Sequence, residues 1–170
     1  KVPEAQLDVR GNLNVEGVIT SNIPAFSAYE YDDYTATATG YVTLGNTLVN
    51  RGGCYNTSTG TFTAPISGTY RFTVDATLRS PGATGATPGG TGVTSITLYI
   101  NNANWNPTNA SRPLIYQVID PGTHHQHVSG SLVWNLNAGD TARIYMSSVQ
   151  PESDINWGTG YGRFMGYLIS

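Results

Sequence analysis

The stretch NRGGCYNTSTGTFTAPISGTYRFTV, residues 50–74, carries the pattern that decides the fold. Its end, residues 69–74, alternates polar and apolar side chains, which is the pattern of a half-buried β-strand. Ser58-Thr59-Gly60 has the composition of a turn, and Gly68 permits a tight entry into the strand that follows. The stretch therefore predicts short strands joined by turns.

The same chemistry recurs along the rest of the chain. Short alternating runs rich in Thr, Val, Ile and Tyr are separated by turn residues, and the chain contains 20 Gly and 9 Pro. No stretch repeats apolar residues at helical spacing for three turns. We therefore predict an all-β antiparallel sandwich with almost no helix. The further runs lie at residues 41–44, 95–100, 113–119, 131–136 and 142–146.

Composition limits the classes of function. The chain has 170 residues, enough for one domain with a sizeable core. Charged residues make up 11%, and the net charge is -3, whereas a nucleic-acid-binding protein needs a basic stripe. The hydrophobic fraction of 39% is too high for a disordered chain, and no apolar run is long enough to cross a bilayer. The scarcity of charge favours a secreted or virion protein.

Cys54 is the only cysteine. An internal disulfide and a cysteine-based zinc site are therefore excluded. We predict that Cys54 is a small buried hydrophobe.

The first 24 residues differ from the rest. The pattern apolar-x-apolar-x-Gly occurs at residues 7–11 and again at 13–17. Two such repeats cannot bury their apolar face alone, so residues 1–24 are predicted to be the end of a β-structured fibre stalk, and residues 25–170 a head domain. The alternative is an ordinary strand pair packed on the domain. Residues 80–92, built mainly from Gly, Pro and Thr, predict a flexible surface loop.

A specific resemblance lies in the spacing of six residues. The head domain of the q subunit of the complement first component has the pattern found here as Asn50-x4-Tyr55-x6-Phe62-x5-Gly68-x-Tyr70-x-Phe72. Two aromatic positions of that family are Leu44 and Val74 here, which are conservative departures. Residues 24–28 look like the family's first strand, Leu136-x-x-Gly139-Asp140 like the turn before its penultimate strand, and Phe164-x-Gly166-Tyr167-Leu168 like its last strand.

The resemblance implies a ten-stranded jelly roll, shared with the tumour necrosis factor superfamily, and a homotrimer packed around a threefold axis. It assigns the motif residues, with Phe164 and Gly166, to the fold and the trimer. A buried subunit face would also account for the low charge. The complement family has a collagen stalk, however, whereas the N-terminal repeat here resembles the β-structured shafts of bacteriophage and other viral fibres.

Two clusters are candidates for binding a metal. His125 and His127 point to one side of a strand, and with a carboxylate they could hold a transition metal; the alternative is an exposed strand edge after a turn. Glu152-x-Asp154-x-Asn156 has oxygens suited to calcium but has Trp157 where an EF-hand needs glycine, which favours a solvated loop. No other cofactor is predicted.

Motifs of catalysis are missing from the sequence. There is no Gly-x-Ser-x-Gly. Glu30 and Asp32 alternate as glycosidase carboxylates might, but the chain is too small for the groove of a depolymerase. We predict that the protein is not an enzyme.

Aromatic side chains near turns are candidates for ligand contact, because rigid amphipathic rings suit recognition surfaces. We therefore predict a trimeric head of a viral or phage fibre on the virion surface, which binds a host-surface glycan or protein, with neither nucleic-acid binding nor membrane insertion. The alternatives are a decoration or trimerisation cap of a capsid or tail, and a secreted, complement-like lectin head. The predicted ligand-binding residues are Tyr31, Tyr34, Trp105, Trp157 and Tyr161.

Overall fold

The computed structural model describes residue 16 and residues 23–30, 35–36, 40–79, 92–101, 113–119, 125–148, 154–156 and 162–170. This part of the chain contains thirteen β-strands and no helix, which confirms the all-β prediction. The strands are Ala25–Tyr29 (β1), Thr35–Ala36 (β2), Gly40–Tyr41 (β3), Asn46–Arg51 (β4), Tyr55–Asn56 (β5), Thr61–Thr63 (β6), Gly68–Arg79 (β7), Gly92–Ile100 (β8), Pro113–Ile119 (β9), His125–Leu136 (β10), Thr141–Ser148 (β11), Asp154–Asn156 (β12) and Arg163–Leu168 (β13).

The strands form two antiparallel sheets. Sheet A has the order β4-β1-β13-β7-β10, and the short β12 and β2 extend it beside β7. Sheet B has the order β5-β6-β11-β8-β9, and the short β3 also pairs with β11. Ten strands thus make two five-stranded layers, in which strands distant in sequence are neighbours. This is the jelly-roll sandwich that the resemblance implied.

Strand β7 is the spine of sheet A. One edge pairs with β10 over twelve residues, from Gly68 opposite Leu136 to Arg79 opposite His125. The other edge pairs first with β13 and then, beyond it, with β12. Alternate residues of β7 point into the sandwich, and Tyr70, Phe72, Val74 and Ala76 are all buried there. The alternation read from residues 69–74 is therefore a true strand period.

Aromatic rings fill the centre of the core. Phe26 on β1 lies 4.8 Å from Phe164, 4.9 Å from Tyr55 and 5.2 Å from Phe62, measured between ring centroids. Phe62 in turn lies 5.3 Å from Phe72. These separations are within the range in which aromatic pairs attract one another beyond simple area burial. One cluster therefore joins both sheets.

Gly166 makes this cluster possible. In the register of sheet A it lies between Phe26 on β1 and Phe72 on β7. A Cβ atom at Gly166 would lie 2.5 Å from the Phe26 ring and 2.7 Å from the Phe72 ring. The glycine is therefore required for space rather than for backbone conformation, and the motif Phe164-x-Gly166 is explained by packing.

Two expectations from the sequence need adjustment, and a third is not tested. The run at residues 41–44 is not one strand: β3 ends at Tyr41, and residues 42–45 cross towards sheet A with Val42 and Leu44 buried. The predicted loop 80–92 loses its last residue to β8, which begins at Gly92. The proposed stalk, apart from the exposed Glu16 and from Ile23 and Pro24, lies outside the described residues, as do residues 80–91.

The two ends of the sandwich are distinct. At the base end the chain enters β1 after Pro24, and the Leu168 N–H donates to the Pro24 carbonyl (3.1 Å). The turn between β10 and β11 closes against the β6–β7 connection at the same end, since the Gly139 N–H donates to the Ala64 carbonyl (2.8 Å). At the distal end β1 finishes at Tyr29, opposite Arg163.

We expect Gly166→Ala to destabilise the domain by about 1–3 kcal/mol, because the added methyl overpacks the Phe26–Phe72 contact. Chemical denaturation would measure this loss. Gly40→Ala is the matched control: no heavy atom lies within 4 Å of its Cβ position, so its effect should stay below about 0.5 kcal/mol. Equal effects of the two substitutions would contradict this account of Gly166.

Candidate functional site

Asn50 and Tyr55, the first two motif residues, form a clasp between the sheets. The Tyr55 N–H donates to Asn50 Oδ1 (3.0 Å), and Asn50 Nδ2 donates to the Tyr55 carbonyl (2.8 Å). The Asn50 side-chain amide thus makes the pair of hydrogen bonds that a neighbouring strand would make, across the loop that links β4 to β5. Gly52 and Gly53, both with positive φ, turn the chain inside this loop. The Asn50-x4-Tyr55 spacing is therefore structural.

Two motif tyrosines have their hydroxyls tied to the backbone. Tyr55 Oη donates to the Leu44 carbonyl (3.4 Å), and Tyr70 Oη donates to the Ile66 carbonyl (2.7 Å). Burial raises the pKa of Tyr55 to about 12 and also raises the pKa of Tyr70. Both hydroxyls are therefore neutral and engaged, and these tyrosines belong to the core. Cys54 is buried beside them, as predicted, and burial raises the pKa of its thiol.

The predicted ligand-contacting side chains, Tyr31, Tyr34, Trp105, Trp157 and Tyr161, lie outside the described residues. The strand ends that flank them are described. Tyr29, which precedes Tyr31 and Tyr34, and Arg163, which follows Trp157 and Tyr161, are paired at the distal end. The strand ends that flank Trp105 are instead at the base end, since Ile100 pairs with Ala142, next to Thr141 at the start of β11.

The candidate metal ligands are not brought together by the described structure. His125 begins β10 opposite Arg79, and His127, opposite Thr77, is exposed. Among the described residues, no three His, Cys, Asp or Glu side chains form a group that could hold a metal ion. Glu152 and Asp32, partners of the other candidate sets, lie outside the described residues. Metal binding therefore stays a prediction.

Glu30, proposed above as half of a carboxylate pair, has a structural contact. Its carboxylate accepts hydrogen bonds from the Gly45 N–H (2.8 Å) and from Asn46 Nδ2 (3.2 Å). Glu30 therefore helps to hold the crossing from sheet B to β4.

The outer face of sheet A carries exposed apolar side chains. Residues that alternate with the core point outwards here, and Val133 on β10 is 54% exposed and Tyr167 on β13 is 45% exposed. Val49 on β4 is exposed on the same face, with Met165 half-buried between the strands. We call this outer face of sheet A the assembly face. Exposed Arg71 lies between Val133 and Tyr167, and Arg163 and Asp75 are paired on the same side, so this face combines apolar and charged side chains.

The outer face of sheet B carries a different surface. Tyr41, Tyr99 and Tyr145 meet there, with ring centroids 5.8 Å apart for Tyr41–Tyr99, 5.3 Å for Tyr41–Tyr145 and 4.8 Å for Tyr99–Tyr145. The Arg143 guanidinium stacks 3.9 Å from the centroid of the Tyr41 ring. Tyr99 is buried (7% exposed), whereas Tyr41, Arg143 and Tyr145 are half-buried. We call Tyr41, Tyr99, Arg143 and Tyr145 the tyrosine surface.

Arg143 is held in place from two sides. Besides the contact with Tyr41, its Nη2 donates to the Thr59 carbonyl (2.8 Å). Its Nε is buried and has no hydrogen-bond partner within the described part of the chain. The guanidinium is thus oriented by protein groups that neutralise none of its charge.

Sequence reasoning did not find the tyrosine surface. The available signal was Arg143-x-Tyr145, which alternates with the core residues Ala142, Ile144 and Met146. Tyr41 and Tyr99 join them only through the pairing of β3 and β8 with β11. That pairing is long-range and leaves no mark in the local pattern.

A polar clasp closes the base end of sheet B. Asn101 Nδ2 donates to Asp140 Oδ1 (2.8 Å), and the Asn137 N–H donates to Asp140 Oδ2 (2.7 Å). Asn101 Oδ1 accepts from the Thr141 N–H (2.8 Å). The hydrogen bond from Asn101 and then that from Asn137 hold the pKa of Asp140 below its usual value. This explains Leu136-x-x-Gly139-Asp140: Gly139 supplies a positive φ, and Asp140 closes the turn.

Comparison with known proteins decides the family. The model of the C1q domain matches residues 25–169, nearly the whole head. The chain belongs to the C1q domain family. Domains of this family typically form trimeric heads, occur in secreted or extracellular proteins, and bind ligands or receptors rather than catalyse reactions. The resemblance read from Asn50 to Phe72 is therefore confirmed.

Solved structures show the same fold. The globular domain of the zebrafish complement 1qA protein is similar with a TM-score of 0.62 and 21% identity, covering 87% of this chain and 98% of that one. A crystal structure of murine APRIL at pH 5.0 is similar with a TM-score of 0.57 and 8% identity, covering 86% of this chain and 99% of that one. No curated protein sequence matches the chain. Within the described residues, no helix is long and apolar enough to cross a membrane.

Asp140 predicts a loss of stability in acid. Because its folded pKa is lowered, its carboxylate stabilises the fold above the unfolded carboxyl pKa, and this contribution is lost as pH falls through the folded value. We expect denaturant midpoints to decrease as the pH falls below the ordinary Asp pKa of about 3.9, and Asp140→Asn to reduce that decrease. The exposed Glu16→Gln is the control, and it should leave the pH profile unchanged. An unaltered profile in Asp140→Asn would contradict the role of the clasp.

Proposed function

We propose that this chain is the trimeric head of a viral or bacteriophage fibre, and that its distal end binds a host-surface glycan or protein during attachment. The observation that carries this proposal is the separation of the two ends. The chain arrives at the base end beside Pro24, and the strand ends flanking four of the five predicted contact residues lie at the distal end. Loops presented by a rigid sandwich commonly carry recognition.

The assembly face supports the trimer. Val133, Tyr167 and Val49 expose apolar side chains on one face of sheet A, around the exposed Arg71, and domains of this family typically form trimeric heads. Burial of this area against two further copies would remove it from water. Three copies would also raise a weak single-site affinity through avidity.

The fibre context rests on the sequence before the head. The repeat in residues 1–24 is of the kind found in β-structured shafts, and it enters where a stalk would join the base end. A decoration or trimerisation cap would share the assembly face but would need no distal binding. A secreted complement-like lectin head would share the distal site but would follow a collagen stalk. Further apolar-x-apolar-x-Gly repeats in the parent protein would favour the fibre, and Gly-x-y triplets would favour the lectin head.

We expect a homotrimer in sedimentation equilibrium at micromolar concentration. Val133→Arg should convert it to monomer, because three unpaired charges would be buried, each at a cost of roughly 2–5 kcal/mol. Thr63→Arg, a charge added at an exposed position of sheet B, is the control and should leave the trimer intact. A wild-type monomer would contradict the proposed assembly.

We expect the soluble head to bind host cells and to block attachment of the parent particle. Trp157→Ala should weaken both effects by about tenfold or more, since aromatic anchors dominate recognition surfaces, while leaving the trimer intact. Trp105→Ala is the matched control, because the strand ends that flank Trp105 are at the base end, and it should bind normally. A head that neither binds cells nor competes at saturation would favour the capping role.

A further inference from the structure

The half-buried members of the tyrosine surface, Tyr41, Arg143 and Tyr145, lie away from the assembly face. This surface lies on the outer face of sheet B, on the opposite side of the sandwich from the assembly face. Its centre, where Tyr145 pairs with Tyr41 and with Thr97, is midway along β11, away from both ends. A ligand bound here would therefore compete neither with assembly nor with the distal end.

The surface offers hydroxyls and aromatic rings around one cation. Among the described side chains that face outwards from sheet B, Arg143 is the only charged one; its neighbours on β6 and β11 are Thr61, Thr63 and Thr141. The Tyr41 and Tyr145 hydroxyls have no hydrogen-bond partner in the described structure. Asp140, the nearest described carboxylate along β11, is engaged by Asn101 and the backbone at the base end.

This chemistry favours one class of partner. Tyr and Arg are also common in protein interfaces, where they stand among other apolar contacts, but the large hydrophobic side chains that are exposed among the described residues all belong to sheet A or the base end. A polyphosphate would need several positive charges. A single oriented guanidinium with aromatic faces and hydroxyls suits a ligand that has one carboxylate, a flat apolar face and many hydroxyls.

We propose that the tyrosine surface binds a saccharide that carries a carboxylate, such as a uronic or sialic acid residue. Arg143 pairs with the carboxylate, for which a guanidinium is the best-matched side chain. The half-buried rings of Tyr41 and Tyr145 contact the apolar face of the sugar, and their hydroxyls hydrogen-bond to its hydroxyls. Because Tyr41 and the Thr59 carbonyl already orient Arg143, little side-chain entropy is lost on binding.

The test is a nuclear magnetic resonance titration of the intact protein with two acidic probes. One is sialyllactose, and the other is a tetrasaccharide of alternating glucuronate and N-acetylglucosamine. Lactose and the carboxyl-reduced tetrasaccharide are their neutral counterparts. We expect shifts of backbone amides at Tyr41, Arg143 and Tyr145 with at least one acidic probe, and none with either neutral sugar; which probe binds identifies the source of the carboxylate.

Variants separate the carboxylate contact from folding. Arg143→Gln should weaken binding roughly tenfold or more, as expected for loss of one charge-assisted hydrogen bond. Tyr145→Phe, which keeps the ring, should weaken it about threefold. Arg51→Gln removes the same charge from the assembly face, on β4, and with its trimer intact by sedimentation it should bind as the wild type does.

Three results would overturn the proposal: no shifts with either acidic probe, equal binding of a neutral sugar, or binding unchanged by Arg143→Gln. A glutamate-rich peptide that shifts the same amides when neither saccharide does would also overturn it, in favour of an acidic protein partner. Cell binding by the distal end is measured separately through Trp157→Ala. A negative result for one site therefore does not affect the interpretation of the experiment on the other site.

Discussion

The contact between Phe26 and Phe72 across Gly166 is the constraint on which the rest of the structure depends. Three neighbouring strands, β1, β13 and β7, meet at this point, and only the missing Cβ of the middle one lets the two rings approach. Phe62 and Tyr55 then bring sheet B onto the same cluster. The core can therefore pack only when β13 is in its correct register, because a slip of β13 by one residue would place a side chain where the rings now lie.

The two outer faces of the sandwich follow from the same alternation. Residues that point away from the core on sheet A include Val133 and Tyr167, whereas those on sheet B include Arg143, Tyr145 and several threonines. Exposed Arg71 lies between Val133 and Tyr167, so sheet A offers apolar and charged side chains, whereas sheet B offers tyrosine and threonine hydroxyls around one guanidinium. One sandwich can in this way separate assembly from recognition without any additional domain.

Local sequence patterns predicted most of the fold but little of the candidate site. Asn50, Tyr55, Gly68 and Phe72 act through fixed short spacings, so their pattern could be recognised before the structure was known. Tyr41, Tyr99 and Tyr145 are scattered over three strands, and only long-range pairing brings them together. The prediction of one strand over residues 41–44 was wrong for a related reason. Val42 and Leu44 are buried because the chain crosses between the sheets there, and burial at alternate residues does not require a strand.

The hydrogen bond between Leu168 and Pro24 has a consequence for how such a head is used. The chain enters and completes the sandwich at neighbouring points on one end, so covalent attachment makes no demand on the opposite end. A domain of this kind can be joined to different supports without a change in the surface that it displays. Variation in supports and variation in displayed loops can then proceed independently.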